Sequence, residues 1–534
     1  MKDLVKAELL KLIGDFDCYL ESPKDKSLAH YATPLAFSLA KEFKKAPKII
    51  ADEIVTKAAN SEIFTLSSLN GYINIHLKES YLNSLASESL KQREQKSILN
   101  PNAENILLEY VSANPTGPLH IGHVRGAVYG DSLARVGRYL GHKITTEYFI
   151  NDAGNQIELL GTSILLAGQK NILNKDVEYL QNCYRGEYID ELATKAVKQF
   201  GKEILYEIDN DEVVKKISLW GKDEMLKVIK KNLFDANITI ENWVSEASLY
   251  DELQPTLEKL EQNGAIYEKD GALYISSSKV GDEKDRVVIR DDKRPTYLAG
   301  DIVYHYNKFK RGYDHYINIW GADHHGYILR LKAAIRFLGY DDERLEVILA
   351  QMVSLLKNGE SFKMSKRAGN FILMGDVLDE IGSDALRFIF ISKKCDTPLE
   401  FDVEELKKED SSNPIFYVNY AHARVHQLFK RAQKSFDDVA SYEIKELNSD
   451  AKALLFEALR LDEVLDDAFR QRQLQKITDY LVALSAKFHK FYNENRVLGS
   501  KDEKSYLKLF AVVAVTIKKA LSLVGIEAKE KMAD

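Results

Sequence analysis

The stretch that decides the fold reads Ile106-Leu107-Leu108-Glu109-Tyr110-Val111, then Asn114-Pro115-Thr116-Gly117-Pro118, then Leu119-His120-Ile121-Gly122-His123. Its first part is short and mostly apolar, the pattern of a buried strand. The prolines and glycine end that strand and make a loop. A helical pattern follows from about His123 to Leu140, and Gly141 stops it. Ile144 to Ile150 reads as the next strand. Strand, loop, helix and strand in this order form a βαβ unit, the seed of a parallel doubly wound sheet. The helix start behind the loop presents unpaired N–H groups and partial positive charge, which suits a phosphate. Gly122 lets a nucleotide come close to the backbone. His120 and His123 stand three apart at that point, spaced to donate hydrogen bonds to phosphate oxygens. A bare His-x-Gly-His also describes two histidines capping a helix; the strand before and helix behind favour the phosphate site.

Outward from this unit the chain divides by pattern. Residues 1 to about 85 read as a small α+β unit, with helices over Leu4–Ile13 and Leu35–Phe43 and a strand over Ile73–Leu77 after Asn70-Gly71. A polar helix from Ser80 to about Lys96 leads to a turn at Asn100-Pro101-Asn102. Residues 155 to about 290 read as insertions into the sheet, mostly helical, with a hairpin near Tyr267–Ile275 around Asp270-Gly271. A second sheet half returns at Tyr316–Trp320, followed by a helix from about His324 to Leu338 and a strand over Leu345–Leu349. Beyond about Asp402 the pattern is almost wholly helical, with Leu-rich stripes. The expected fold is therefore multidomain, α/β plus all-α. A small α+β domain spans 1–85, a Rossmann-like doubly wound catalytic domain spans 100–385 with insertions at 155–290, and a helical bundle spans 402–534.

With 534 residues, 45% of them hydrophobic and 29% charged, the chain has globular composition and room for several cores. No run of eighteen apolar residues suggests a membrane span. The first residues lack the apolar stretch of a secretory signal. Cys18, Cys183 and Cys395 lie far apart, which argues against a zinc site or a disulfide framework and for a cytoplasmic setting. A net charge of −7 does not advertise nucleic-acid binding, but local basic patches rather than averages contact phosphates.

A second motif, Lys363-Met364-Ser365-Lys366-Arg367, would alone pass for a solvated basic loop. Paired with His120-Ile121-Gly122-His123, it resembles the two ATP-contacting signatures of class I aminoacyl-tRNA synthetases, which sit far apart in the two halves of one nucleotide fold. The likeness narrows with Gly281–Val287, Pro295–Ile302 and Trp320–Tyr327, which look like segments of the arginyl-tRNA synthetases. Asp384-Ala385-Leu386-Arg387-Phe388 matches the motif that names this family's helical anticodon-binding domain, and Asn413–Arg424 resembles that domain's first helix. Residues 30–76 resemble the added N-terminal domain of arginyl enzymes. Ser68–Asn74 departs from it by lacking an expected proline-glycine turn. Lys366 keeps a second lysine that many arginyl enzymes have lost.

The resemblance implies ATP-dependent ligation of L-arginine to tRNA(Arg) through an arginyl-adenylate. ATP is expected as a substrate with Mg²⁺, without zinc. His120, Gly122, His123, Lys363, Met364, Ser365 and Lys366 would bind ATP, with His120, His123, Lys363 and Lys366 carrying the catalytic electrostatics. Arginine brings a permanently charged, planar fork of five donors, so a selective pocket needs carboxylate at its depth. Tyr297 and Asp301, four apart on an expected helix, share a face. By resemblance Asp301 pairs with the guanidinium and Tyr297 lines the pocket. Ser112 and Asn114 hold the α-amino end, with Glu147, Asn151 and Asp152 nearby. Asp323 and His324 follow a strand end and are assigned to arginine or adenosine, and His325 to a cap or core. Tyr420, Arg424 and Lys430 are expected to contact tRNA. The chain is expected to act as a monomer, with no membrane and no DNA partner. The rival readings are another class I synthetase and a catalytically inactive tRNA-binding relative.

Overall fold

In the computed structural model, which describes residues 1–23, 26, 28–361 and 372–532, five parallel strands form the central sheet. They are β1 (Asn105–Glu109), β2 (Lys143–Ile150), β3 (Asn242–Ser245), β4 (His315–Gly321) and β5 (Leu345–Ala350). Their spatial order is β5-β4-β1-β2-β3, and every neighbouring pair is parallel. This is the doubly wound order, and it reverses direction between β1 and β4. Ligands bind in such sheets at that crevice, outside the carboxyl ends of the strands. Helix Ile121–Tyr139 connects β1 to β2, and helix Tyr297–Lys310 precedes β4.

Within the expected insertions at 155–290 runs a strand of the central sheet. Helices Asn155–Asn171, Glu187–Phe200 and Asp211–Asp235 form one lobe with its own apolar core. The chain then returns to the central sheet as β3 before it leaves again for a three-stranded antiparallel sheet over Ile266–Lys269, Ala272–Ile275 and Arg286–Ile289. β3 has only four residues, all half-buried, so nothing in its local pattern separates it from the surrounding insertions. The helix expected from His324 instead begins at Ile328, after a 3₁₀ segment Ala322–Tyr327.

At the N-terminus, helices pack on an antiparallel sheet of Tyr31–Thr33, Tyr72–Leu77 and Phe64–Leu69. The hairpin turn lacks proline, yet Asn70 and Gly71 adopt φ of 52° and 89°, the positive values an Asn-Gly turn supplies. Helices from Pro414–Ala432 to Glu503–Leu523 build the C-terminal bundle. One apolar core runs continuously through the N-terminal, catalytic and C-terminal parts. Polar ties cross the same boundaries. Lys508, buried in the last long helix, donates to Asn83 Oδ1 at 2.8 Å and Ser87 Oγ at 2.6 Å. Arg472 holds Glu346 of β5 at 2.9 Å.

Candidate active site

The loop after β1 turns sharply. Val111 and Ser112 both take positive φ, 69° and 43°, which is strained for residues with side chains. Hydrogen bonds hold the strained turn. Ser112 Oγ donates to Glu109 Oε1 at 2.8 Å and accepts from the Phe149 N–H at 3.0 Å. This elbow throws Asn114 into solvent above the sheet.

At the start of helix Ile121–Tyr139 the two histidines serve as caps and remain donors. His120 Nδ1 accepts from the Gly122 N–H at 3.2 Å, and His123 Nδ1 accepts from the His120 N–H at 3.3 Å. With Nδ1 accepting, each neutral ring carries its proton on Nε2. Burial lowers both pKa values, His123 to about 3, so the rings are neutral donors rather than cations. The capping and phosphate readings of this motif are thus compatible.

Lys363, Met364, Ser365 and Lys366 lie outside the described residues. Their downstream flank does not: Ile121 N–H bonds to Ile372 O at 2.8 Å, and Met374 N–H to Leu119 O at 2.8 Å. The first signature thus meets, at the backbone, the chain that follows the second. Arg125, fully buried one turn into the same helix, donates to the carbonyls of Gln351, Lys394 and Thr397 and ties the helix to the chain leaving β5.

On the other side of the crevice, helix Tyr297–Lys310 is capped by Thr296 and carries Tyr297 exposed and Asp301 four residues on. Burial pushes the Asp301 carboxyl up to about 7, beside the Tyr327 hydroxyl. A second acid, which the sequence reading passed over, joins it. Glu246 follows the carboxyl end of β3, and burial together with the Asp301 charge raises its pKa to about 7. A strand's carboxyl end was the available signal, hidden because β3 was read as insertion. A cavity of about 320 Å³ opens beside Glu246, lined also by Tyr250, Arg290, Arg294, Thr296 and Tyr297 among others. That size suits an amino-acid side chain.

Other expected pocket residues stand differently. Glu147 is fully buried, and its carboxylate is already taken by Arg311 at 2.6 and 2.8 Å and by Tyr304 at 2.6 Å. Its place is therefore corrected from pocket lining to sheet interior. Asp152 is buried too, accepting from Ser245 Oγ and from the Ala247 N–H at 3.0 Å. It holds the β3 end that presents Glu246. Asn151 is half-buried at the end of β2. Asp323, His324 and His325 are exposed on the 3₁₀ segment after β4, with His324 3.6 Å from Asp323.

Residues 85–428 match the family model described as tRNA synthetases class I (R), catalytic domain. Residues 1–77 match the arginyl tRNA synthetase N terminal domain, and residues 418–532 the DALR anticodon binding domain. The chain is 61% identical, over the full length of both, to an arginine–tRNA ligase of Campylobacter curvus. The chain belongs to the arginyl-tRNA synthetase family. A solved arginyl-tRNA synthetase chain from Campylobacter jejuni is 59% identical and superposes with a TM-score of 0.82, covering 85% of this chain and all of that one. The Thermus thermophilus arginyl-tRNA synthetase shares the fold, with a TM-score of 0.77 at 22% identity over 99% of this chain and all of that one.

In this family member the first helix of the DALR-matching region presents two distinct faces. On one, Tyr420 stacks 5.3 Å from His489 and 6.0 Å from Phe416. The Arg424 guanidinium lies 5.2 Å from the Tyr420 ring and 4.0 Å from Tyr492. Tyr420 is 38% exposed, so this platform is open. Lys430 belongs to the other face, where it lines a separate cleft with His422, His426, Phe436 and Lys518. Lys430, expected to contact tRNA together with Tyr420 and Arg424, is thus set apart from them by the turn of the helix.

Proposed function

We propose that this chain charges tRNA(Arg) with L-arginine in the two-step manner of its family. The arginine carboxylate attacks the α-phosphorus of ATP, forming arginyl-adenylate and releasing pyrophosphate. The 2′-hydroxyl of the terminal adenosine of tRNA then attacks the arginyl carbonyl, and AMP leaves. ATP enters as its magnesium complex. His120 and His123 donate through Nε2 to its phosphates at the helix start, where the backbone amides add partial positive charge. Lys363 and Lys366 neutralise the charge that grows on the departing pyrophosphate. Such chemistry depends on positioning and on donors aimed at developing charge, each worth about 2.7–4 kcal/mol in the transition state.

The observation that carries arginine selection is Glu246 on the cavity wall with Asp301 close enough to raise its pKa. Burial holds protons on both carboxyls to an unusually high pH, and the Asp301 charge adds to this for Glu246. A guanidinium would relieve both at once, through charge-assisted and partly bidentate bonds. Glu246 and Asp301 take the guanidinium, Tyr297 flanks it, and Ser112 and Asn114 hold the α-amino end. His324 is assigned to the arginine or adenosine edge. A pyrophosphate-exchange assay with cognate tRNA tests this: arginine should be activated and lysine, whose ammonium cannot bridge two acids as a planar fork does, should be strongly rejected. Equal activation of both would remove the acid pair from selection.

Residues 1–85 and the tail from 402 contact the tRNA, with the Tyr420–Arg424 platform stacking unpaired anticodon-loop bases. The enzyme works as a monomer in the cytoplasm, without zinc or DNA.

A further inference from the structure

A row of polar residues crosses the sheet in register. Asn318 on β4 stands opposite Glu109 on β1, Glu109 opposite Glu147 on β2, and Glu147 opposite Asn242 on β3. In-register neighbours on parallel strands face the same side of a sheet. Glu109 and Glu147 are both buried, so two carboxylates lie side by side away from water. Each has its own cation, and both cations come from the C-terminal end of one helix, Tyr297–Lys310. Arg311 grips Glu147 with two bonds at 2.6 and 2.8 Å. Lys308, 1% exposed, pairs with Glu109 Oε2 and lies 4.4 Å from the Tyr304 ring.

Lys308 reaches in two directions. Through Glu109 it meets Ser112 Oγ at 2.8 Å and so the strained elbow before Asn114. Through Asn318 Oδ1, at 2.9 Å, it meets β4. The Asn318 amide then donates to His305 Nε2 at 2.8 Å, and His305 Nδ1 donates to the Asp301 carbonyl at 2.8 Å. The donor order is forced. A lysine can only donate, so the Asn318 oxygen faces it, the amide nitrogen faces His305, and His305 carries its proton on Nδ1. One buried ammonium therefore joins the elbow and the helix that hold the two ends of the arginine pocket.

We infer that Lys308 is a positioning residue for arginine activation: it sets the spacing between the Ser112 elbow and the Asp301 helix without touching substrate. This rests on the pocket reading given above. A lysine that merely anchored the core would, when lost, impair ATP and arginine use alike. A spacer acts on arginine, because the ATP-facing histidines belong to a different helix.

The test is pyrophosphate exchange by the full chain with saturating tRNA, with KM measured separately for arginine and ATP. Lys308→Met should raise the arginine KM at least tenfold and leave the ATP KM within about twofold. The double variant Glu109→Gln with Lys308→Met, which leaves no buried carboxylate without its cation, should recover at least half of that loss on a logarithmic scale. An equal rise in both KM values, or an unchanged arginine KM in Lys308→Met, overturns the inference. Should Lys308→Met fail to fold, His305→Phe cuts the β4 limb without uncovering a charge and is judged by the same comparison. Asp301→Asn separates the two ideas. If its arginine KM is unchanged, the pocket reading falls; if it rises while Lys308→Met is unaffected, only the role of Lys308 falls.

Discussion

Arg387 donates to Asp131 Oδ2 at 2.6 Å in a site closed to water, the side chains being 0% and 7% exposed. Asp131 belongs to the helix that starts with His120 and His123, and Arg387 to the Asp384–Phe388 motif. The same guanidinium donates to the carbonyls of Ala236 at 3.0 Å, Asn237 at 3.1 Å and Val524 at 2.7 Å. One side chain thus joins the catalytic helix, the end of the helical insertion and the C-terminal bundle. The arginine of this motif is an internal joint, not an RNA contact.

Removing it should therefore act on stability. Arg387→Met takes the donor from the Ala236 and Val524 carbonyls and leaves Asp131 with Arg135 alone, and breaking a buried pair costs about 3–5 kcal/mol, so the loss should fall at the lower end of that range. The urea midpoint should fall by a corresponding amount, and Asp131→Asn in the same background should return part of it. Gly525→Ala should act in the same direction, since a Cβ there would lie 2.3 Å from the Arg387 guanidinium and Gly525 has φ 76°.

Arginine use should depend on pH through the acid pair. The Asp301 and Glu246 carboxyls both titrate at about 7, above their ordinary 3.8 and 4.5. Below about pH 7 the empty pocket holds protons that a guanidinium must displace. The arginine KM should then rise as pH falls, by about tenfold per unit for each proton released. The stability sign runs the other way for the unliganded protein: raised carboxyls favour the fold at low pH and that contribution is lost as pH climbs from about 4 through 7. Melting temperature without arginine should decline across that window, and saturating arginine should flatten the decline. A flat arginine KM between pH 5.5 and 8 would remove the pair from the pocket.

Glu246→Gln and Asp301→Asn should each raise the arginine KM strongly and the ATP KM little. Loss of one charge-assisted bond to a guanidinium is worth about 1.5–3 kcal/mol, or roughly ten- to a hundredfold. Steady-state exchange at pH 8, where both native acids are ionised, reads this directly.

His123→Ala and Lys363→Ala should each slow adenylate formation about a hundredfold or more while tRNA affinity stays within about twofold. Single-turnover activation measures the first and filter binding the second. Because burial holds His123 at about 3, its contribution should not titrate between pH 6 and 8. A step in the activation rate near pH 6.5 that vanishes in His123→Ala would mean the imidazolium, not the neutral ring, is the working form.

Tyr420→Ala should weaken tRNA binding by about 1–3 kcal/mol, the usual worth of a base stacked on an aromatic ring. Arg424→Ala should also shallow the salt dependence. Lys430→Ala, on the far face, should leave anticodon-loop footprints unchanged. Point variants are the proper test here. A truncation before residue 402 would tear open the apolar core that the bundle shares with the catalytic domain.

Local pattern was enough for much of this. The β1 strand, the Pro/Gly loop, the helix behind it and β2 appear within a few residues of their expected bounds, because a buried parallel strand and a long helix advertise themselves by period and by the residues that end them. The same pattern placed His120 and His123 at a helix start and Tyr297 with Asp301 on one helix. It did not show that β3 returns to the sheet, since four half-buried residues carry no periodic signal. Glu246 was lost with it.

The sequence by itself thus determined the family, the order of the domains and the two nucleotide signatures, all of which depend on residues near one another in the chain. Tertiary structure decided what each charge does, because that depends on which distant partner burial supplies. Glu109 and Glu147 look alike on neighbouring strands, yet Arg311 and Tyr304 close off Glu147 inside the sheet, while Glu109 accepts from both Lys308 and Ser112. Asp301 and Glu246, 55 positions apart by their numbers, act on one another only because β3 and helix Tyr297–Lys310 bring Glu246 within reach of the Asp301 charge. A carboxylate's role is set by its water and its cation, and neither is written in the residues beside it.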